Sequence, residues 1–426
     1  MSDLPYGIGR YLTRIPFSWR LGNTYTQSKN DIHSYMNLSD DEKISHVIAK
    51  LNAITKYAGQ NFLFYKTLYS EHGVNGKSIK YIDEFSKFPI VTKEMLRPYS
   101  DHFSGALAFN TGGTTGEPFH FFLDKGAFAR EWAHMHHIWS LREYSQTDIK
   151  ITLRGKNLGS KNIIYNPVHN EFIVSTYKSV ALFKEEFLEL FAMHDIKFVH
   201  GYPSAIYEFF KELFSITTEE ERMPIEKSIR CCLLGSEFPV PYMINFLNEK
   251  WGFDYISWYG HSEMGILAYD DKKLNQYNPL MTYGYAEISQ SKLLATSYNN
   301  FDMPLIRYDT GDRATGDVSE NGLLKSFSIK EGREGDFILD RTGKNIPLTA
   351  LVFGRHHKIF EVADFIQVGQ EDSGLVTFYV TLKDIANFDV KKIEDYFELS
   401  NVDIKYTFEI MSAPIRSNIG KMKLKV

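Results

Sequence analysis

The chain has 426 residues, enough for a large buried core and for more than one structural unit. Hydrophobic residues make up 43% and charged residues 24%, the balance of an ordinary soluble globular protein. A formal net charge of −5 supplies no basic footprint for nucleic acid, and no apolar run reaches the length of a membrane span.

The opening Met1-Ser2-Asp3-Leu4-Pro5 lacks the basic and then apolar layout of a signal peptide, so a cytoplasmic location is expected. The first hundred residues read as largely helical. Ser39 and Glu42 form a capping box, after which Ile44, Val47, Ile48, Leu51 and Ile54 fall on one helix face. Thr111-Gly112-Gly113-Thr114-Thr115-Gly116-Glu117-Pro118 is either a plain glycine turn or a loop whose amides and hydroxyls cradle phosphate. It is neither a Walker loop nor a dinucleotide fingerprint, since no Gly-Lys-Ser/Thr ends it and Thr111 stands where a first glycine belongs. Phe119 to Leu123 reads as a strand beside it.

Beyond this point strand-like segments at 149–153, 197–200, 229–234 and 255–258 alternate with helical ones at 204–214 and 242–251. That rhythm predicts a layered α/β unit with a partly parallel sheet. Cys231 and Cys232 are adjacent, a poor geometry for an ordinary disulfide, and read as buried strand residues. Residues 283–308 are richer in β pattern. The Gly and charge cluster at 330–336 marks a boundary, and a small α+β unit follows, with strands at 376–381 and 403–411 around a helical 390–397.

Chemistry is suggested by several segments. Trp258-Tyr259-Gly260-His261-Ser262-Glu263 puts a ring, a glycine and an exposed carboxylate after a strand, where α/β sheets bind ligands. The ring suits a base and the Glu suits Mg²⁺, unless the segment is simply a solvated strand end. Arg307 to Asp312 offers carboxylates to ribose hydroxyls or is a β-turn. Lys421, beside Gly420, is a mobile cation or part of a frayed tail. His134, His136 and His137 on one helix read as packing or pocket residues rather than metal ligands.

In order, the Gly/Thr loop, Tyr-Gly-x-Ser-Glu, Tyr-x-Thr-Gly-Asp, Gly-Arg-x-x-Asp and the terminal Gly-Lys resemble the adenylate-forming superfamily of acyl-CoA synthetases, adenylation domains and luciferases. Within it, the chain is similar to the phenylacetate-CoA ligase family, and Asn61 to Lys66 and Phe88 to Glu94 extend the likeness toward the N-terminus. The resemblance implies a large N-terminal ATP- and acid-binding domain (1–331), a hinge (332–336) and a small mobile α+β C-terminal domain (337–426). It implies an ATP- and Mg²⁺-dependent ligase that makes an acyl-adenylate and passes the acyl group to a thiol, most simply CoA. The alternative acceptor is an amino sugar, as in branches of the family from capsular-polysaccharide or O-antigen gene clusters. The absence of a basic tail after Lys421 keeps that acceptor open, and a degenerate nucleotide-binding protein is a third reading.

By the same resemblance, Thr111, Gly112, Gly113, Thr114, Thr115 and Gly116 would hold the β- and γ-phosphates. Gly235, Ser236 and Glu237 would border the adenine, with Tyr259 and the adjacent Gly260 against it. Asp312, helped by Arg333, would take the ribose, Glu263 would bind Mg²⁺, and Lys421 would bridge the acid and the α-phosphate. His200, Gly201, Tyr202, Trp258, Trp132 and His136 are candidates for the acid pocket, whose rings would suit an aryl or small apolar acid. The two cysteines are too few for the structural zinc of some relatives, and Gly335 stands where a hinge acid or lysine is common.

Overall fold

A computed structural model describes residues 6–110, 119–239, 241–270, 272–329, 337–348, 351–352, 355, 357–386, 388–413, 415 and 424–426. Helices Phe17–Met36, Asp40–Asn61 and Leu63–Glu71 open the chain. The predicted capping box forms: the Ser39 amide donates to Glu42 Oε2 at 2.8 Å, and the Glu42 amide donates to Ser39 Oγ at 3.4 Å. Val47, Leu51 and Ile54 are buried, with Ile44 and Ile48 packed against the same core.

Most of the chemistry-bearing segments hang on one twelve-stranded sheet. Its inner strands Glu171–Val174, Ile149–Leu153, Ile196–Gly201, Cys231–Leu234 and Asp254–Gly260 run parallel, in that spatial order. Parallel neighbours need crossovers, which the helices Pro203–Ile216, Glu219–Ser228 and Pro241–Trp251 supply. Beyond Asp254–Gly260 the sheet continues antiparallel through Leu267–Asp270, Tyr277–Pro279, Leu324–Ile329, Tyr308–Val318, Lys292–Ser297 and Gly284–Ser289. The edge strand on the other side, Ile163–Asn166, is also antiparallel. Cys231 and Cys232 are fully buried in the parallel part, and burial pushes both thiols well above their ordinary range.

His120–Leu123 is a strand, but it pairs with Leu107–Asn110 as a separate two-stranded ribbon, and Phe119 and Phe121 are buried in the core shared by the N-terminal helices and the antiparallel half of the main sheet. The C-terminal strands Ala363–Gly369, Leu375–Leu382 and Lys405–Met411 form a three-stranded sheet with its own apolar cluster. Tyr177, from the larger part of the chain, is buried in that cluster: its hydroxyl donates to the Gly155 carbonyl at 2.9 Å, and the Arg355 guanidinium lies 4.3 Å from its ring centroid. Nearby, Lys344 pairs with Glu212 at 3.0 Å, and the Asn345 amide donates to Glu208 at 2.7 Å. Among the described residues, no helix is long and apolar enough to cross a membrane.

Candidate functional site at the carboxyl ends of the parallel strands

The parallel strands share a register that places Leu153 beside Gly201, Gly201 beside Leu234 and Leu234 beside Ser257. Their carboxyl ends therefore deliver Arg154, Gly201-Tyr202, Gly235-Ser236-Glu237 and Trp258-Tyr259 to one rim, the usual ligand-binding crevice of such sheets. Glycine at 235 follows from packing, since a Cβ there would sit 2.2 Å from the Trp258 indole. Glu237 is tied across the rim, its Oε2 accepting from the Ser204 amide at 3.2 Å and from Ser204 Oγ at 2.5 Å, in the first turn of the helix Pro203–Ile216. A carboxylate suits that end of a helix.

His200 lies beneath this rim between Trp139 and Trp258, its ring stacked on Trp258 with centroids 5.6 Å apart. Nδ1–H donates to the Leu233 carbonyl at 3.1 Å, which leaves Nε2 with its lone pair. Burial, with the nearby charge of Arg154, lowers its pKa to about 3, so the imidazole is neutral. Arg154 Nη2 donates to Ser236 Oγ at 3.3 Å, and its guanidinium lies 5.1 Å from the Tyr202 ring centroid.

A second group involves the strand Tyr308–Val318 of the antiparallel half of the sheet. The Tyr259 hydroxyl donates to Asp312 Oδ2 at 2.6 Å, and the Tyr308 hydroxyl donates to Glu263 Oε1 at 2.8 Å. Two sequence motifs are thereby cross-linked at both ends. Glu263 differs from the expected exposed carboxylate: it is 5% exposed, with Lys93 Nζ at 3.5 Å and His261 Nδ1 at 3.1 Å. Burial raises the carboxyl pKa, but the hydrogen bond and charge of His261, then Lys93 and Tyr308, outweigh it and hold the group well below the usual range. Lys93 arrives through backbone pairing, since the Val91 amide donates to the Arg307 carbonyl at 3.0 Å and the Asp309 amide to the Val91 carbonyl at 2.9 Å. Phe119, the first described residue after the Gly/Thr loop, stacks on Tyr308 with centroids 6.3 Å apart.

Trp132 and His136 stand elsewhere, on the side of the helix Ala127–Ser140 that faces Phe17 and Tyr25. His136 Nδ1 is 2.8 Å from the Tyr25 hydroxyl, and Trp132 stacks on His169. Trp139 intervenes between His136 and Trp258, contacting both. His136 instead lines a groove of ≈ 650 Å³ with Lys29, His33, His137 and Gln146. His134 is a packing residue, its two nitrogens 2.8 Å from the Arg130 carbonyl and 3.0 Å from Thr282 Oγ1. Thr111 to Pro118, Arg333 with the whole 332–336 segment, and Lys421 lie outside the described residues. Sequence reasoning assigned no role to Lys93, Tyr308, His261 or Arg154. Tyr308 and His261 lie inside the quoted motifs, and that position is the signal that would have drawn attention to them. Among the described residues, no group of three or more His, Cys, Asp or Glu side chains is placed to hold a metal ion.

No family model matches the chain, and no curated protein matches it. The structure is similar, at low identity, to several solved structures. One is 2-hydroxyisobutyryl-CoA ligase in complex with 2-HIB-AMP and CoA in the thioesterification state, with TM-score 0.48 and 14% identity, covering 91% of this chain and 90% of that one. Another is malonyl-CoA ligase in a ternary product complex with methylmalonyl-CoA and AMP, at TM-score 0.39 and 16% identity, covering 73% and 72%. A third is o-succinylbenzoate CoA synthetase from Bacillus subtilis in complex with AMP, at TM-score 0.34 and 15% identity, covering 74% and 67%.

Proposed function

We propose that the chain activates a carboxylic acid with ATP as an acyl-adenylate and transfers the acyl group to a thiol, that of CoA. The observation that carries this reading is the double cross-link, Tyr259 to Asp312 and Glu263 to Tyr308, which sets a ring and two carboxylates on one rim. Tyr259 would face the adenine, bordered by Gly235, Ser236, Glu237 and Gly260, and the second oxygen of Asp312 would accept from the ribose. His200, Gly201, Tyr202 and Trp258 would floor the acid pocket. The Gly/Thr loop 111–116 would grip the leaving pyrophosphate, its Phe119 anchor resting on Tyr308.

In the first step a carboxylate oxygen bonds to the α-phosphorus, and the bond from that phosphorus to the bridging oxygen of the β-phosphate breaks. Two anions must meet, so Lys421 would lower the barrier by sitting between them, while Arg333 would assist Asp312 at the ribose. Magnesium takes one or two carboxylates together with phosphate oxygens, and Glu263, a buried carboxylate already balanced by Lys93 and His261, fits as that ligand. Bound there, the ion would neutralise charge on the phosphates. In the second step the thiol sulfur bonds to the acyl carbon, AMP leaves and the thiol proton passes to solvent. Residues 337–426 would act as the mobile unit, turning about 332–336 between the steps.

ATP–pyrophosphate exchange across aryl, short aliphatic and amino acids tests the reading. Exchange that depends on one class of acid is expected, followed by a CoA thioester in product mass spectrometry with CoA and amino sugars side by side. Absence of exchange with every acid would defeat the proposal, and an amide product would replace CoA with an amine.

A further inference from the structure

From Leu4 to Asn30 the chain carries Arg10, Arg14, Arg20 and Lys29 and no acidic residue, although its formal net charge is −5. Part of this segment is fastened to the body. Tyr6 packs on Tyr165 and Phe172 at the outer edge of the sheet, with ring centroids 4.9 and 5.8 Å away. The Arg20 guanidinium lies 4.0 Å from the Phe17 ring centroid, and Nε donates to the Ile15 carbonyl at 2.9 Å.

Four large apolar or aromatic side chains of the segment face outward. Trp19 is 81% exposed, Ile8 62%, Tyr11 53% and Ile15 39%. Arg10 and Arg14 both lie 5.2 Å from the Tyr11 ring centroid, and neither forms an ion pair among the described residues. Leaving an indole in water forgoes the gain its burial brings. Rings that combine an apolar body with a polar tip settle at the headgroup level of a bilayer, and arginines beside them meet anionic headgroups.

We infer that this surface, built on Ile8, Arg10, Tyr11, Arg14, Ile15 and Trp19, seats the protein reversibly on an anionic lipid bilayer. The anchoring rings insert shallowly while the arginines remain among the headgroups. None of these residues belongs to the rim described above, so the inference stands apart from the proposed chemistry.

The full chain, sedimented with vesicles of phosphatidylcholine alone or mixed with phosphatidylglycerol, tests it. Binding to the mixed vesicles only is expected, and it should fade in about 1 M salt, where screening acts within roughly 3 Å. Arg10→Glu and Arg14→Glu should each reduce partitioning by about fivefold or more. Trp19→Ser should reduce it with no change of charge, and should abolish any blue shift of tryptophan emission on adding vesicles. Unfolding midpoints should be unchanged, which separates lost binding from lost fold. Equal partitioning onto neutral vesicles, or variants that bind like the parent, would overturn the inference. So would self-association in lipid-free buffer that the same variants abolish while vesicles bind nothing.

Discussion

Burial strips a carboxylate of its hydration, and Glu263 recovers the loss from His261, Tyr308 and Lys93. Because the folded state holds this group below the usual range, its stabilisation is complete above roughly pH 4.3 and is lost as pH falls through the lower folded-state pKa. Lys93→Met is therefore expected to lower stability at neutral pH by about 1–2 kcal/mol, because two donors remain. The deficit should shrink in acid as Glu263 becomes protonated, and denaturant melts at neutral and acid pH would show it. A deficit independent of pH would mean that Lys93 acts by packing alone. Glu263→Gln should blunt the response to magnesium in the exchange reaction, and an unchanged titration would remove Glu263 from the metal's site. The residue was visible in the sequence but its setting was not, because a charge after a strand reads as solvated. Lys93 is brought in by a backbone pairing at Val91 that no local pattern announces.

Four of the five parallel strands were legible as short apolar runs between helices, while Glu171–Val174 was not, and the helix that follows Ser39 was legible from its cap and its apolar face. The antiparallel half of the sheet was less so. Leu267–Asp270 and Tyr277–Pro279 are short, and the second carries Asn278 and Pro279, residues poor in strands. Ala363–Gly369 escaped notice for a different reason: it pairs with a later strand, and its own register shifts near Ala363. At this scale the contact of Gly235 with the Trp258 indole is decisive. Gly235→Ala should cost about 1–3 kcal/mol through overpacking, with a change in tryptophan emission, and the penalty should shrink in a Trp258→Phe background. An equal penalty in both backgrounds would place the strain in the backbone instead.

The seating of the C-terminal sheet against the larger part of the chain was not legible at all, since Tyr177, Glu208 and Glu212 carry no signal of a distant partner. Yet the proposed two-step chemistry needs that unit to turn, and Lys421 to leave after adenylation. Lys421→Ala should abolish acid-dependent pyrophosphate exchange and spare thioester formation from a supplied acyl-adenylate; equal loss in both assays would argue against turning. The paired thiols of Cys231 and Cys232 have a consequence of another kind. They sit side by side in the parallel strand Cys231–Leu234, sealed from solvent and poorly ionised, so a thiol reagent reaches them only when the sheet itself opens. The protein thus carries a built-in stopwatch: the pace at which those sulfurs are labelled counts openings of the central sheet.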